Sequence, residues 1–299
     1  MMVSSVGTKG SRDDRVTSGT RIVAAVVTAI LVLAWTVLFL FPGDTGRRFA
    51  WTIDSRMTAM LMGAGYGSAI YFFFRVLTER RWHRVSLGFL PTTVFTWMML
   101  GATLLHWDKF RHGSNPFLLW FCVYLATPIV VPAVWVLNRA HDPGSLEEAA
   151  DATLPGWIRI AMTIAGLGMG AVAAWLYAAP ASAISVWPWP LTPLTGRAVA
   201  AFVALPAVAW LAIAADGRWS AARVLLGTVA LGLVLLLIAV ARSWSEFDPA
   251  NPLRLVYVGG LVGTLSGIVA LTVSMSQRLS PVDADPDAST PSRTYPVRS

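Results

Sequence analysis

The groups with chemical capability lie in four short segments that separate apolar runs. One reads LLHWDKFRHGSNP and holds His106, Trp107, Asp108, Lys109, Arg111 and His112. An imidazole two residues from a carboxylate is a pairing that can move protons. Guanidinium and ammonium groups beside it can hold a phosphate or a carboxylate. An earlier segment, RRFAWTIDSR, supplies Arg48, Trp51, Asp54 and Arg56. A later one, SVWPWPLTPLTGR, supplies Trp187, Trp189 and Arg197, and the last supplies Arg242, Trp244, Glu246, Asp248 and Arg254. Trp, His, carboxylate and Arg together could line a site for a lipid headgroup or a small amphiphile. The same types at helix ends also form an aromatic belt with snorkelling charges. A non-enzymatic protein that binds, transports or assists the handling of an amphiphile is the leading reading. A membrane-embedded enzyme using His106 and Asp108 is the alternative, and a membrane scaffold is a third.

The elements that must position these groups are membrane helices. Of the 299 residues, 56% are hydrophobic and 13% charged, with mean hydropathy +0.61. A soluble domain carries about 25% charged residues. Eight runs are long enough for a hydrocarbon core about 30 Å thick. They cover 22–41, 57–74, 85–105, 117–137, 158–178, 198–214, 224–241 and 255–274. With the N-terminus inside, 15 of the 23 Lys and Arg residues fall on the inner side and 8 on the outer. That bias predicts cytoplasmic termini and puts the four segments outside. The net charge of +7 is therefore a topology signal, and membrane lipids, not nucleic acid, are the expected partners.

The chain repeats itself. At an offset of 137, Thr58 meets Thr195, Arg81 meets Arg218, Trp82 meets Trp219, Trp107 meets Trp244 and Phe110 meets Phe247. With one residue fewer Asn115–Pro116 meets Asn251–Pro252, and with one more Arg21 meets Arg159. Four spans per half is an even number, so the halves share an orientation and form a parallel repeat about an axis along the membrane normal. The expected fold is thus all-α: an integral membrane protein of eight helices in two parallel four-helix repeats. Residues 21–137 and 158–277 form the halves, 138–157 an acidic linker with a short surface helix, and 1–20 and 278–299 disordered tails. Lys109 and Glu246 hold matching repeat positions with opposite sign, so HWDKF is expected to face SWSEF across one concavity.

Small residues four apart let helices approach closely in lipid. Gly63 and Gly67 in the second span, and Gly259, Gly263 and Gly267 in the eighth, are expected to pack internally, with a homodimer through the glycine faces as the alternative. The tract WPWPLTP cannot be ordinary helix, since three prolines in six residues remove donors and fix φ. It reads as an extended aromatic stretch at the interface.

Other chemistries find no support. The span centres hold no Asp, Glu, Lys or His, which argues against a proton relay. There is no H-E-x-x-H, no G-x-x-x-x-G-K-[ST], and only one cysteine, Cys122, so neither a metal nor a nucleotide site is expected. Four plus four helices also describes haem A synthase, whose site needs axial ligands on facing helices. Only His106 sits at a helix end and its repeat mate is Ser243, so no haem and no other cofactor is expected.

WPWPLTPLTGRA, together with FAWTI and TLLHWDKF, resembles a group of uncharacterised multi-pass membrane proteins of bacteria, in particular actinobacteria. The resemblance runs from about Phe41 to Leu271. It implies a plasma-membrane protein of eight helices and brings no catalytic residues with it.

Overall fold

The computed structural model describes residues 14–140 and 152–279. Eight helices are long and apolar enough to cross a membrane: α1 (Ser18–Leu40), α2 (Arg56–Thr78), α3 (His83–Leu105), α4 (Asn115–Arg139), α5 (Gly156–Ala178), α6 (Pro193–Asp216), α7 (Trp219–Arg242) and α8 (Leu253–Leu279). No β-strand occurs among the described residues, and the all-α, eight-span expectation holds. Most helices start before their apolar run because polar caps lie outside it. Ser55 accepts from the Thr58 amide, Ser114 from Phe117, and Thr192 forms a reciprocal capping box with Thr195.

Residues 14–20 correct the expected disordered tail. Val16 is buried, its amide donates to the Arg80 carbonyl, and Ser18 already begins α1. Arg278 likewise belongs to α8 rather than to a tail. The remaining tail residues and most of the acidic linker, with its expected short helix, lie outside the described residues.

Burial divides the helices into two groups. α2, α3 and α6 are more than half buried, and α7 a third. Helices α1, α4, α5 and α8 turn large apolar side chains such as Ile22, Leu137, Ile164 and Val256 outward, as a lipid solvent permits. Within the bundle α1 packs on α2 and α5 on α6; α3 packs on α4 and α7 on α8. Across the middle α3 meets α6, and α7 meets α2. Adding four to every helix number leaves this pairing unchanged.

The glycines sort the contacts. A Cβ on Gly63 would lie 2.9 Å from Phe39 of α1, and one on Gly67 2.7 Å from Leu235 of α7 and 2.9 Å from Trp35 of α1. Both positions are close helix–helix approaches. Gly259, Gly263 and Gly267 are not: nothing lies within 4 Å of a Cβ at any of them. Helix α8 presents its glycine face away from the bundle because it meets α7 on the opposite side, through residues such as Ile268 and Met275.

The two faces of the bundle close differently. On the face that carries the termini, Arg21 donates to the carbonyls of Leu77 and Glu79 at the end of α2. Arg159 donates to those of Ala214 and Ala215 at the end of α6. The amide of Val16 reaches Arg80, and that of Leu154 reaches Gly217. Orphan carbonyls at a helix C-terminus prefer a cation, which explains an arginine in both places. Gly217 at φ 76 makes the αL turn that ends α6. Burial opposes ionisation of the Glu79 carboxyl, but hydrogen bonds and charge from Arg75 and Arg84 outweigh it and hold its pKa below the usual range.

Candidate functional site at the corner face

The opposite face carries the four segments singled out by residue type. Two aromatic clusters build it. In one, Trp51 lies 4.8 Å from Phe49, 5.1 Å from Phe110 and 4.8 Å from Trp120. In the other, Trp189 lies 5.2 Å from Trp187, 5.3 Å from Phe247 and 5.1 Å from Tyr257. The partners come in the same chain order with nearly the same separations. Each cluster is pinned by one backbone bond, Arg111 amide to Ala50 carbonyl and Asp248 amide to Pro188 carbonyl.

These clusters correct the interfacial reading of WPWPLTP. Trp51 and Trp189 are each 2% exposed. Prolines bend the loop over the bundle end and send the Trp189 indole inward, where its Nε1 donates to Thr58 Oγ1 at 3.0 Å. The mate of that acceptor, Thr195, is engaged in its own capping box, and Trp51 Nε1 is buried without a partner. Trp107 and Trp244, 41% and 45% exposed, do sit as surface anchors. Trp107 packs on His112, Phe117 and Phe121, and Trp244 on Phe247 with Arg254 over its ring.

Glu246 and Lys109 do not meet across a concavity. The Glu246 carboxylate accepts from Ser55 Oγ at 2.6 Å, the Arg56 amide at 2.8 Å and the Met57 amide at 3.1 Å. It caps the start of α2, where free amides and the helix dipole favour an anion. The counterpart start, that of α6, has Pro193 in place of Arg56, so one amide is missing, and its capping box supplies the remaining acceptor. An acid is not needed there, and Lys109 turns to Asp108 at 2.8 Å. The Lys109 hydrogen bond pulls the Asp108 pKa down and raises that of Lys109, with both groups exposed. Asp54 is exposed and has no side-chain partner among the described residues.

His106 and Arg197 are brought together. Arg197 Nη1 lies 2.7 Å from His106 Nε2. A guanidinium only donates, so this contact needs a neutral imidazole with its proton on Nδ1. Burial first, then the Arg197 charge, pushes the His106 pKa down, with Asp108 opposing. Arg197 Nε is buried without a partner, and Arg197 forms no ion pair among the described residues. The positions 137 residues away are Met60 and Ser243. They also touch, Ser243 Oγ lying 3.6 Å from Met60 Sδ, and Ser243 is 2% exposed. One of these two contacts is therefore buried and uncharged, and the other carries a cation with no ion pair among the described residues.

Of the residues chosen by type, the structure assembles His106 with Arg197, Asp108 with Lys109, and Trp187 with Trp189. It gives Glu246 to a helix cap and leaves Asp54 apart. His106 and Asp108 do not form a dyad, since Asp108 binds Lys109 and His106 binds Arg197. Arg111, singled out by type as a candidate ligand-binding cation, instead holds the carbonyls of Gly46 and Phe49 through its guanidinium. Sequence reasoning missed Asp14, which bonds the buried His83 on the terminal face; the contact joins residues 69 apart, and local spacing carries no signal for it. Comparison of the chain with protein-family models, curated proteins and solved structures finds no match.

Proposed function

We propose that this protein binds an anionic amphiphile at its corner face, as a carrier or accessory component rather than as an enzyme. One observation carries the reading: Arg197 stands at the outer end of α6 without a counter-ion, its Nε buried and unpaired beside a neutral imidazole. A buried donor left unsatisfied costs about 1–3 kcal/mol, and more when charged. A phosphate or carboxylate oxygen would satisfy it in a charge-assisted bond. Exposed Trp107 and the apolar helix flanks suit the alkyl part of such a ligand.

The proposal includes three further points. The chain is two four-helix copies related along the membrane normal, a reading supported by the unchanged helix pairing, the paired aromatic clusters and the Arg21 and Arg159 bonds. The corner face is extracellular, supported by the Lys and Arg bias. Residence in a bacterial plasma membrane rests on the resemblance of the Trp-Pro segments.

The test is calorimetric titration of dodecyl phosphate into protein held in a neutral detergent. Wild type should bind it, and Arg197→Met, which imports the residue of the uncharged contact, should bind at least about tenfold more weakly, roughly 1.4 kcal/mol. Equal affinity in both would reject the site.

A further inference from the structure

A second site lies far from the corners. Between α7 and α8, at the terminal face, lies an open cavity of about 570 Å³. That volume falls within the range of about 300–1,000 Å³ typical of small-molecule sites. Its lining includes Trp219 and Ile268, which are buried, Gly227, and Arg223, Thr272 and Ser276, which are exposed. The lining is mostly apolar, and among the described residues its only charged group is Arg223. Arg223 is exposed and forms no hydrogen bond or ion pair among the described residues.

The first half carries larger side chains at two corresponding positions. At the same offset of 137, Gly227 corresponds to Leu90 and Thr272 to Trp135. Leu90 is partly buried against the larger apolar cluster, and Trp135 against the smaller one, which includes Phe89 of α3 and Val131 and Val134 of α4. Burial along the two outer helices agrees with this offset, since Tyr124, Val131 and Asn138 are buried on α4 as are Leu261, Ile268 and Met275 on α8. Ser86, the mate of Arg223, is buried and hydrogen-bonded to the His83 carbonyl. At these lining positions the second half has no indole and no isobutyl group, and it has a cation where the first half has Ser86.

We propose that this crevice holds one anionic phospholipid, its acyl chain between α7 and α8 and its phosphate on Arg223. Three features select that occupant. The walls are apolar along a helix-parallel slot, as an acyl chain requires. The cation lies at the helix end, where headgroups lie. Basic pockets between helices on the positively charged side of a membrane protein are where anionic headgroups bind. A neutral lipid would leave Arg223 unneutralised, and a protein helix is too wide for a slot already walled by two.

The full chain, reconstituted in nanodiscs, is irradiated with phosphatidylglycerol carrying a photoactivatable acyl chain, and adducts are mapped by mass spectrometry. A parallel sample carries the same chain on phosphatidylcholine. Phosphatidylglycerol should mark residues 268–276 at least about tenfold more than phosphatidylcholine. Thr272→Trp, which restores the indole of the other half, should abolish that labelling, and Arg223→Gln should reduce it to the phosphatidylcholine level. Arg223 is exposed, so its variant keeps the test intact if Thr272→Trp does not fold. Equal labelling by the two lipids, labelling unchanged in Arg223→Gln, or a second protein copy crosslinked at these residues would overturn the proposal. None of these outcomes bears on dodecyl phosphate binding at Arg197, so the two sites stand or fall separately.

Discussion

Position 246 shows how one carboxylate can be a structural group in a segment that looks like a binding site. Glu246 takes three donors at the start of α2, and its mate Lys109 takes none at the start of α6. Loss of a helix cap costs about 0.5–2 kcal/mol. Glu246→Gln should therefore lower the melting temperature measurably, while Lys109→Ala should leave it unchanged, both read by thermal unfolding in detergent. His106 adds a pH dependence with a definite sign. Its folded pKa is depressed by burial and by Arg197. The unfolded chain then binds more protons than the folded one below about pH 6.5, so stability falls with acidification. Unfolding scans at pH 7.5 and pH 5.5 should show a loss in wild type that is smaller in His106→Gln. An equal loss in both would mean that other groups carry the dependence.

At the scale of elements, spacing alone did not separate the two glycine stripes. AxxxGxxxG on α2 and GxxxGxxxG on α8 look alike, yet one faces α1 and α7 and the other faces away. The direction of a helix face depends on its neighbours, and neighbours are a property of the bundle. Gly63→Leu should abolish folded protein, because the new side chain would enter the Phe39 backbone. Gly263→Leu should fold normally, and size-exclusion chromatography of that variant checks whether α8 also serves a dimer. Hydrophobic run length, by contrast, was fully legible, since lipid forces every backbone amide into a helix. The placement of Trp189 was not. Proline content announces a non-helical loop, but only the space at the bundle end decides whether its indole points to lipid or to core.

For the whole molecule, the two faces take different chemistry from one plan. The terminal face satisfies helix C-termini with Arg21 and Arg159 and holds an apolar crevice with Arg223 in its lining. The corner face satisfies α2 with Glu246 and leaves Arg197 without an ion pair among the described residues. Residue types pointed to Arg197 and His106, but their pairing joins α6 to the end of α3, 91 residues earlier. A contact of that range was not legible in local spacing. The central claim is that this corner face is the outer one, for the ligand must reach Arg197 from the outer leaflet. Single cysteines at Asp54 and Ser245 on the corner face and at Ala140 on the terminal face, all exposed, settle it in a Cys122→Ala background. A membrane-impermeant maleimide applied to intact cells should label Asp54→Cys and Ser245→Cys and spare Ala140→Cys until the membrane is permeabilised. Labelling of Ala140→Cys in intact cells, with the two corner positions protected, would contradict the account.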